Sequence, residues 1–224
     1  MTEATEAIAA VVFDVGRVLY HWDLRELFAK LIADPAELDW FLSHVVTEEW
    51  HFEHDAGRPL ADMVAERSRL FPDHVPLIEA YATRFVESIP GPVAGMHEIV
   101  RALAARSVPL FAITNFGAEF WAQFRANEPL FDLFADIVVS GVEKMVKPSP
   151  EIYELAARRF GYAPEQMLFI DDNAANVEAA QKLGWNTHLF TDAATLRADP
   201  RLMRLLNCST SDPGSTTFRK CSVN

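Results

Sequence analysis

Cysteine is nearly absent from the chain: Cys208 and Cys221 are the only two, and both fall within the last 17 residues. The body of the protein therefore has no disulfide framework and no thiolate metal cage, so any metal it uses must be held by oxygen or imidazole. Long apolar runs are missing too, none approaching the roughly 18 residues that span a bilayer. The start, Met1 to Ala7, is acidic where a secretion leader would be basic, so the expected location is cytoplasmic. Positive charge is in deficit, with 20 Lys and Arg against 32 Asp and Glu and a formal net charge of -12. Nucleic acid and anionic membrane are thereby disfavoured as partners, because each calls for clustered basic side chains. A phosphorylated ligand, if there is one, is expected to be a small molecule screened by a metal.

What the chain does have is apolar material in ordered patches. Half of its 224 residues are hydrophobic and 23% are charged, enough for a full core and unlike a disordered, collagen-like or repeat composition. Ile8 to Phe13 is a continuous apolar run of the kind buried on both faces of a parallel sheet. Val108 to Ile113, Ile137 to Val139, Met167 to Ile170 and Thr187 to Phe190 resemble it. Helical patterns fill most of the gaps. Met96, Ile99, Val100 and Leu103 mark one helix, Ser149 as N-cap with Pro150 and Glu151 opens another that stops at Gly161, and a third runs from about Ala174 to Gly184. Strands alternating with helices imply an α/β fold, a doubly wound parallel sheet whose ligands bind beyond the carboxyl ends of the strands. The residues at those ends are Asp14, Thr114 and Asn115, Ser140 and Gly141, Asp171 and Asp172, and Thr191.

The alternation breaks once, between Tyr20 and about Ile89, where helical stripes appear without strand-like runs. Leu24, Leu27, Phe28 and Leu31 form one stripe and Leu38, Phe41, Leu42 and Val45 a second, with further helices expected over Leu60 to Leu70 and Val75 to Ser88. The pattern predicts an all-helical cap, residues 21–89, inserted into an α/β core made of residues 1–20 and 90–206. Ile89-Pro-Gly-Pro-Val93 has the stiff composition of a hinge. A cap over the strand ends closes a site against water and selects substrates. Residues 207–224, with seven Ser or Thr among 18 and no periodicity, are expected to form a disordered tail. A Cys208 to Cys221 bond is disfavoured in a reducing compartment.

Four pieces stand at the strand ends in a set order: Asp14 in Phe13-Asp-Val-Gly-Arg-Val-Leu19, Thr114-Asn115, Lys147-Pro148, and Asp171-Asp-Asn-Ala-Ala-Asn176. Together they resemble the haloacid dehalogenase superfamily over about residues 8–192, with the cap inserted where that superfamily places its first cap type. The first and fourth motifs are similar to those of the bacterial branch of sugar-phosphate phosphatases that includes alpha-D-glucose-1-phosphate phosphatase. The resemblance implies a Mg²⁺-dependent phosphatase acting on a small phosphorylated metabolite, a sugar phosphate in particular. The residue chemistry agrees. A carboxylate such as Asp14 can attack phosphorus and form an aspartyl-phosphate, splitting one hard step into two. Asp14, Asp172 and the Gly16 carbonyl offer oxygen ligands for Mg²⁺, with Asp171 placed mostly behind them. Lys147 would neutralise the nucleophile and the transferring group, and the Thr114 hydroxyl and the Asn115 amide or backbone would donate to phosphate oxygens. Asn176, a helical turn beyond Asp172, is positioned to orient Lys147 or the acidic pair. Arg17 has two readings, a phosphate ligand or an ion pair with the cap. Lys144 reads as a solvated lysine.

One position departs from the pattern. Most phosphatases of the superfamily carry a second Asp two residues after the nucleophile, as acid to the leaving oxygen and base to the incoming water, and Gly16 stands there. Loss of such a group typically lowers rate by about 10² to 10⁴. Two alternatives to a phosphatase follow: a dehalogenase-type hydrolase, in which Asp14 displaces halide without a metal, and a phosphate-binding regulatory protein without turnover. Against the dehalogenase, an acidic pair beside a nucleophilic carboxylate makes sense only with a cation. Within the cap, His51-x-x-His54-Asp55 reads as polar surface, since nothing completes a zinc site. His21 and Trp22 are candidates for substrate contact. Phe116, Phe120, Trp121 and Phe124 read as packing, with Phe116 beside the site.

Overall fold

The computed structural model describes residues 7–207. The expectations for the tail, Asn207 apart, and for Cys208 and Cys221 fall outside the described residues. In chain order the first elements are β1 (Ala10–Phe13), β2 (Tyr20–His21), α1 (Leu24–Phe28), α2 (Pro35–His44), α3 (Glu48–Asp55), α4 (Leu60–Leu70), α5 (Val75–Arg84) and β3 (Gly91–Pro92). They continue with α6 (Met96–Ala104), β4 (Leu110–Thr114), α7 (Ala118–Arg125), β5 (Asp136–Val139), α8 (Ser140–Glu143), α9 (Pro150–Phe160) and β6 (Met167–Asp171). The last are α10 (Ala174–Lys182), β7 (Asn186–Leu189), α11 (Ala193–Arg197) and α12 (Pro200–Asn207). Asn207, expected in the tail, ends a helix instead. None of these helices is long and apolar enough to cross a membrane.

Five strands form one parallel sheet in the order β5-β4-β1-β6-β7. The chain adds β4 and β5 on one side of β1, then β6 and β7 on the other. The winding therefore reverses at β1, and a doubly wound sheet opens a crevice beyond the carboxyl ends of its strands at such a point. Period-two alternation splits the strand side chains between two cores. Val11, Phe13, Leu110, Ala112, Leu168 and Ile170 join the large core that continues into the cap. Ala10, Val12, Phe111, Ile113, Met167 and Phe169 pack under α9 and α10. Both faces are covered, which is why these segments read as unbroken apolar runs.

The cap is built from short helices because side chains that start a helix recur along it. Asp23 accepts from the Arg25 amide, Asp34 from Ala36 ahead of Pro35, and Thr47 from Trp50. The helix α3 has no apolar stripe of its own, so hydrophobic spacing is silent about it. The expected Val75 to Ser88 helix tightens to a 3₁₀ turn over Phe85–Ser88. The stiff Pro-Gly-Pro stretch takes part in a short ribbon. Tyr20 pairs with Pro92 and His21 with Gly91 in an antiparallel ribbon, which joins the entry and exit of the cap. Ser149 does sit at the start of α9, but its side chain caps nothing, and Pro150, which has no N–H to satisfy, opens the helix without it.

Cap and core meet through aromatic rings and one hydroxyl. Phe85 stacks on Phe120 with centroids 3.9 Å apart, and Tyr81 meets Phe120 edge-on at 5.1 Å. The Ser140 hydroxyl donates to the Asp55 carbonyl at 2.6 Å and accepts from the Phe116 amide at 2.9 Å, so one side chain ties the end of α3 to the core. Gly141 makes this approach close: a Cβ there would lie 2.6 Å from the Ala118 nitrogen and 2.8 Å from the Phe116 oxygen. Both are backbone atoms and cannot rotate away. Gly141→Ala should accordingly lower stability by about 1–3 kcal/mol or more, read as a shift in the urea midpoint at unchanged m-value.

Candidate active site

The carboxyl ends of β1 and β6 bring three acidic side chains together. Asp14, Asp171 and Asp172 each offer a carboxylate oxygen within 4.8 Å of the others, and they are the metal-competent cluster found among the described residues. Lys147 enters this group from the loop after α8. Its Nζ lies 2.9 Å from Asp14 Oδ1 and 2.7 Å from Asp171 Oδ2, and the side chain is buried. Asn115, one residue beyond β4, holds the lysine in place: its Nδ2 donates to the Lys147 carbonyl at 3.0 Å and its Oδ1 accepts from the Lys147 amide at 2.9 Å. The Lys147–Pro148 peptide beside this clamp is cis.

Asp171 is fully buried and engaged on both oxygens. Oδ1 accepts from the Asn173 amide at 2.8 Å and from Asn176 Nδ2 at 3.0 Å, and Oδ2 accepts from Lys147 and, at 3.1 Å, from the same Asn176 amide. Asn173 meanwhile caps α10 by accepting from Ala175, and this fixes Asn176 in the first turn. Asp14 is different. Its Oδ1 accepts from the Val15 amide at 2.6 Å as well as from Lys147, whereas Oδ2 makes no hydrogen bond to any described residue. The free oxygen belongs to the carboxylate at the switch point of the sheet.

The charges do not balance. Burial works against the Lys147 charge, but Asp14 and Asp171 outweigh it and raise the ammonium above the usual lysine range. The Asp14 carboxyl is raised to about 7, by burial first and then by Asp171 and Asp172, against the opposing pull of Lys147. Asp172 is likewise raised, by burial and then by Asp171. One ammonium among three carboxylates leaves negative charge in excess, which is the condition a hard divalent cation relieves. The donor set, all oxygen, fits Mg²⁺.

A cleft of about 280 Å³ opens over Asp14, bordered by Asn115, Lys147, Asp172, Asn176 and, from the cap side, Asp55. An inner chamber of about 60 Å³ shares Gly16, Trp22, His51, Asp55 and Asn115 with it and continues between Val15, Phe85, Ile89, Phe116 and Phe124. The cleft thus gathers Asp14, Gly16, Asn115, Lys147, Asp172, Asn176 and Arg17. Thr114 is buried at the end of β4 and is not among the residues that border the cleft; its Oγ1 has no hydrogen-bond partner among the described residues. Trp22 and Phe116 border the chamber, whereas His21 is exposed in the ribbon. Lys144 is exposed. Thr191 faces Thr195 at 2.9 Å, away from the cluster.

Two expectations are narrowed and one needs correction. Of the two readings of Arg17, the structure shows the ion pair: Nη2 sits 2.7 Å from Glu48 of α3, with the guanidinium over the Trp22 ring. The Asn115 side chain spends its amide on the Lys147 backbone and not toward the cleft. His51, His54 and Asp55 are not polar surface; all three are at most 6% exposed. Their polarity concealed this, because burial here comes from the core closing over α3 and not from an apolar stripe. Gly117 leaves room for it: a Cβ there would come within 2.0 Å of the His54 ring. The only hint in sequence is the i, i+4 spacing of His51 and Asp55, which places them on one helix face.

A doubly wound parallel sheet with an acidic cluster at the carboxyl ends of its strands places the protein in the α/β class. The family model of haloacid dehalogenase-like hydrolases matches residues 8–184, and the chain belongs to that family. Among curated proteins it is 28% identical to a sesquiterpene phosphatase, AstK, of Aspergillus oryzae, over 89% of this chain and 97% of that one. Its fold matches a HAD-like hydrolase of Porphyromonas gingivalis with a TM-score of 0.68 at 21% identity, covering 91% of this chain and all of that one. A HAD family enzyme of Bacteroides thetaiotaomicron, solved with magnesium and inorganic phosphate, matches with a TM-score of 0.62 at 20% identity, over 83% and 96% of the two chains.

The buried lysine carries a direct stability consequence. Lys147→Met removes the one cation within hydrogen-bond reach of Asp14 and Asp171 and should cost about 3–5 kcal/mol at neutral pH, measured by urea denaturation with a chelator present.

Proposed function

We propose that the protein hydrolyses phosphoric monoesters at Asp14 through an aspartyl-phosphate intermediate, with Mg²⁺. The observation that carries this reading is the asymmetry of Asp14. Oδ1 is pinned by Val15 and Lys147, and Oδ2 is left without a partner at the floor of the cleft. A carboxylate so held keeps one oxygen aimed and available, and attack by it on phosphorus expels the alcohol oxygen. Lys147 places positive charge beside the attacking oxygen, where negative charge from the phosphoryl group gathers. The backbone amide of Asn115, a residue that borders the cleft, suits a phosphate oxygen as acceptor, whereas Thr114 is fully buried behind it. Mg²⁺ would be held by Asp14, Asp172 and the Gly16 carbonyl, with Asp171 behind them, and would supply charge neutralisation of the phosphate. Asn176 and Asn115 touch no substrate in this scheme; they set Asp171 and Lys147. The names of AstK and of the magnesium- and phosphate-bound Bacteroides enzyme agree with the chemistry. Halide displacement fits less well, since it needs no cation and the cluster carries surplus negative charge.

The organic part of the substrate has two readings. The resemblance to sugar-phosphate phosphatases implies a sugar. The inner chamber is walled mainly by Val15, Phe85, Ile89, Phe116 and Phe124, with polar atoms from Trp22, His51, Asp55 and Asn115 at its border with the cleft, and its apolar walls favour an apolar group. The sesquiterpene phosphatase relative agrees with the second reading.

Both are settled by inorganic phosphate release from sugar phosphates, short alkyl or prenyl phosphates and an aryl phosphate, with Mg²⁺ or EDTA. Wild type with Mg²⁺ should turn over, and EDTA or Asp14→Asn should reduce release to background. Preference for prenyl over sugar phosphates would support the chamber as the binding site of the organic group. Metal-independent release, or release that persists in Asp14→Asn, would sink the mechanism.

A further inference from the structure

Gly16 stands where a carboxylate would serve as acid and base, yet the cleft is not without one. Asp55 comes to it from the cap. The side chain is 6% exposed, borders both the cleft over Asp14 and the inner chamber, and its buried Oδ1 has no hydrogen-bond partner among the described residues. Resting on the phosphatase reading above, we propose that Asp55 is the acid/base residue of this site, delivered by the cap to do what position 16 cannot.

The surroundings are built for that task. The Ser140 hydroxyl fixes the Asp55 backbone to the core at 2.6 Å. The other carboxylate oxygen, Oδ2, lies 3.5 Å from His51 Nε2, and His51 Nδ1 lies 2.8 Å from the Tyr81 hydroxyl. With Tyr81 donating to Nδ1, the neutral imidazole carries its proton on Nε2, 3.5 Å from Oδ2, and Oδ1 is the oxygen that carries or accepts a proton. The groups that face Asp55 are His51 on its own helix, Tyr81 on α5, and Asp14 and Lys147 across the cleft. The Asp55 carboxyl is raised to about 8, by burial first and also by Asp14, against the lowering effect of the Gly117 amide and Lys147. Burial also drives the His51 imidazole down to about 3, so it is neutral. A carboxylic acid that stays protonated near neutral pH is suited to give its proton to a leaving oxygen.

The proton account closes. Asp14 Oδ2 forms a bond to phosphorus, the bond from phosphorus to the alkoxy oxygen breaks, and the electron pair left on that oxygen takes the proton from Asp55, releasing the alcohol. A water molecule then gives a proton to the Asp55 carboxylate as its oxygen bonds phosphorus. The bond between phosphorus and Asp14 breaks, its electron pair returns to the Asp14 carboxylate, and inorganic phosphate leaves with Asp55 protonated again.

The test compares an alkyl phosphate, whose leaving oxygen needs a proton, with p-nitrophenyl phosphate, whose leaving oxygen does not. Asp55→Asn should lower kcat on the alkyl phosphate by about 10² to 10⁴. On the aryl phosphate it should instead show a burst of nitrophenol equal to the enzyme present, followed by slow turnover, because Asp14 is still phosphorylated while water is no longer activated. A second variant guards against simple loss of folding. A Cβ at Gly16 meets no atom within 4 Å, and its backbone is not left-handed, so an aspartate fits there. Gly16→Asp added to Asp55→Asn should restore alkyl phosphate turnover. Turnover of Asp55→Asn within a few-fold of wild type on both substrates would overturn the proposal. So would an equal loss on both substrates that Gly16→Asp leaves uncorrected. If the wild type itself releases no phosphate from either substrate, the phosphatase reading falls, and the role of Asp55 falls with it.

Discussion

A buried ammonium between two carboxylates organises this molecule. Lys147 reaches Asp14 at 2.9 Å and Asp171 at 2.7 Å from inside the protein, and a charge so placed is tolerated only when its partners are held without slack. Most of the local structure serves that demand. Asn115 fixes the Lys147 backbone on both its N–H and its carbonyl, Asn176 and Asn173 fix Asp171, and β1 and β6 run side by side so that the two carboxylates emerge as neighbours. The parallel sheet is thus the means by which residues 14, 115, 147 and 171, far apart in sequence, meet in one cluster. Surplus negative charge remains after the lysine is counted, the condition that a divalent cation relieves.

The cap adds what the sheet edge lacks, and it does so with few contacts of high value. The stacked Phe85 and Phe120 rings give apolar attachment, and Ser140 gives direction, because its hydroxyl satisfies a cap carbonyl and a core amide at once. Arg17 and Glu48 form a further tie across the mouth, but their side chains are 47% and 60% exposed and the pair contributes at most about 1 kcal/mol. Registration of α3 over the cleft is therefore set by Ser140 and the glycines at 117 and 141, which allow close approach, more than by surface charge.

Sequence reasoning reached the sheet and the acidic cluster because both obey local rules. Strands buried on two faces must be apolar throughout, and Asp14, Asn115, Lys147 and Asp171 stand at strand ends where the topology puts ligands. It could not reach α3. That helix is buried by elements distant in sequence, its stripe holds His51, His54 and Asp55, and polar residues at helical spacing look the same on a surface as under a core. Roles that depend on who faces whom were equally out of reach. Asn115 could be read as a phosphate donor until the Lys147 backbone was seen to occupy it, and Ser140 could be read as a site residue until it was seen to hold the cap.

The proposed role of Asp55 would also account for a glycine at position 16. A carboxylate on the core at that position would add a fourth negative group to a cluster that already exceeds its cation, raising the pKa of its neighbours further. Asp55 is carried by the cap instead, which the Ser140 hydroxyl and the Phe85–Phe120 stack seat against the core. The contacts that hold α3 over the cleft would then be the ones that present an acid to the leaving oxygen, so proton delivery would depend on the fit of cap to core, a dependence that a second aspartate on the sheet edge would not create.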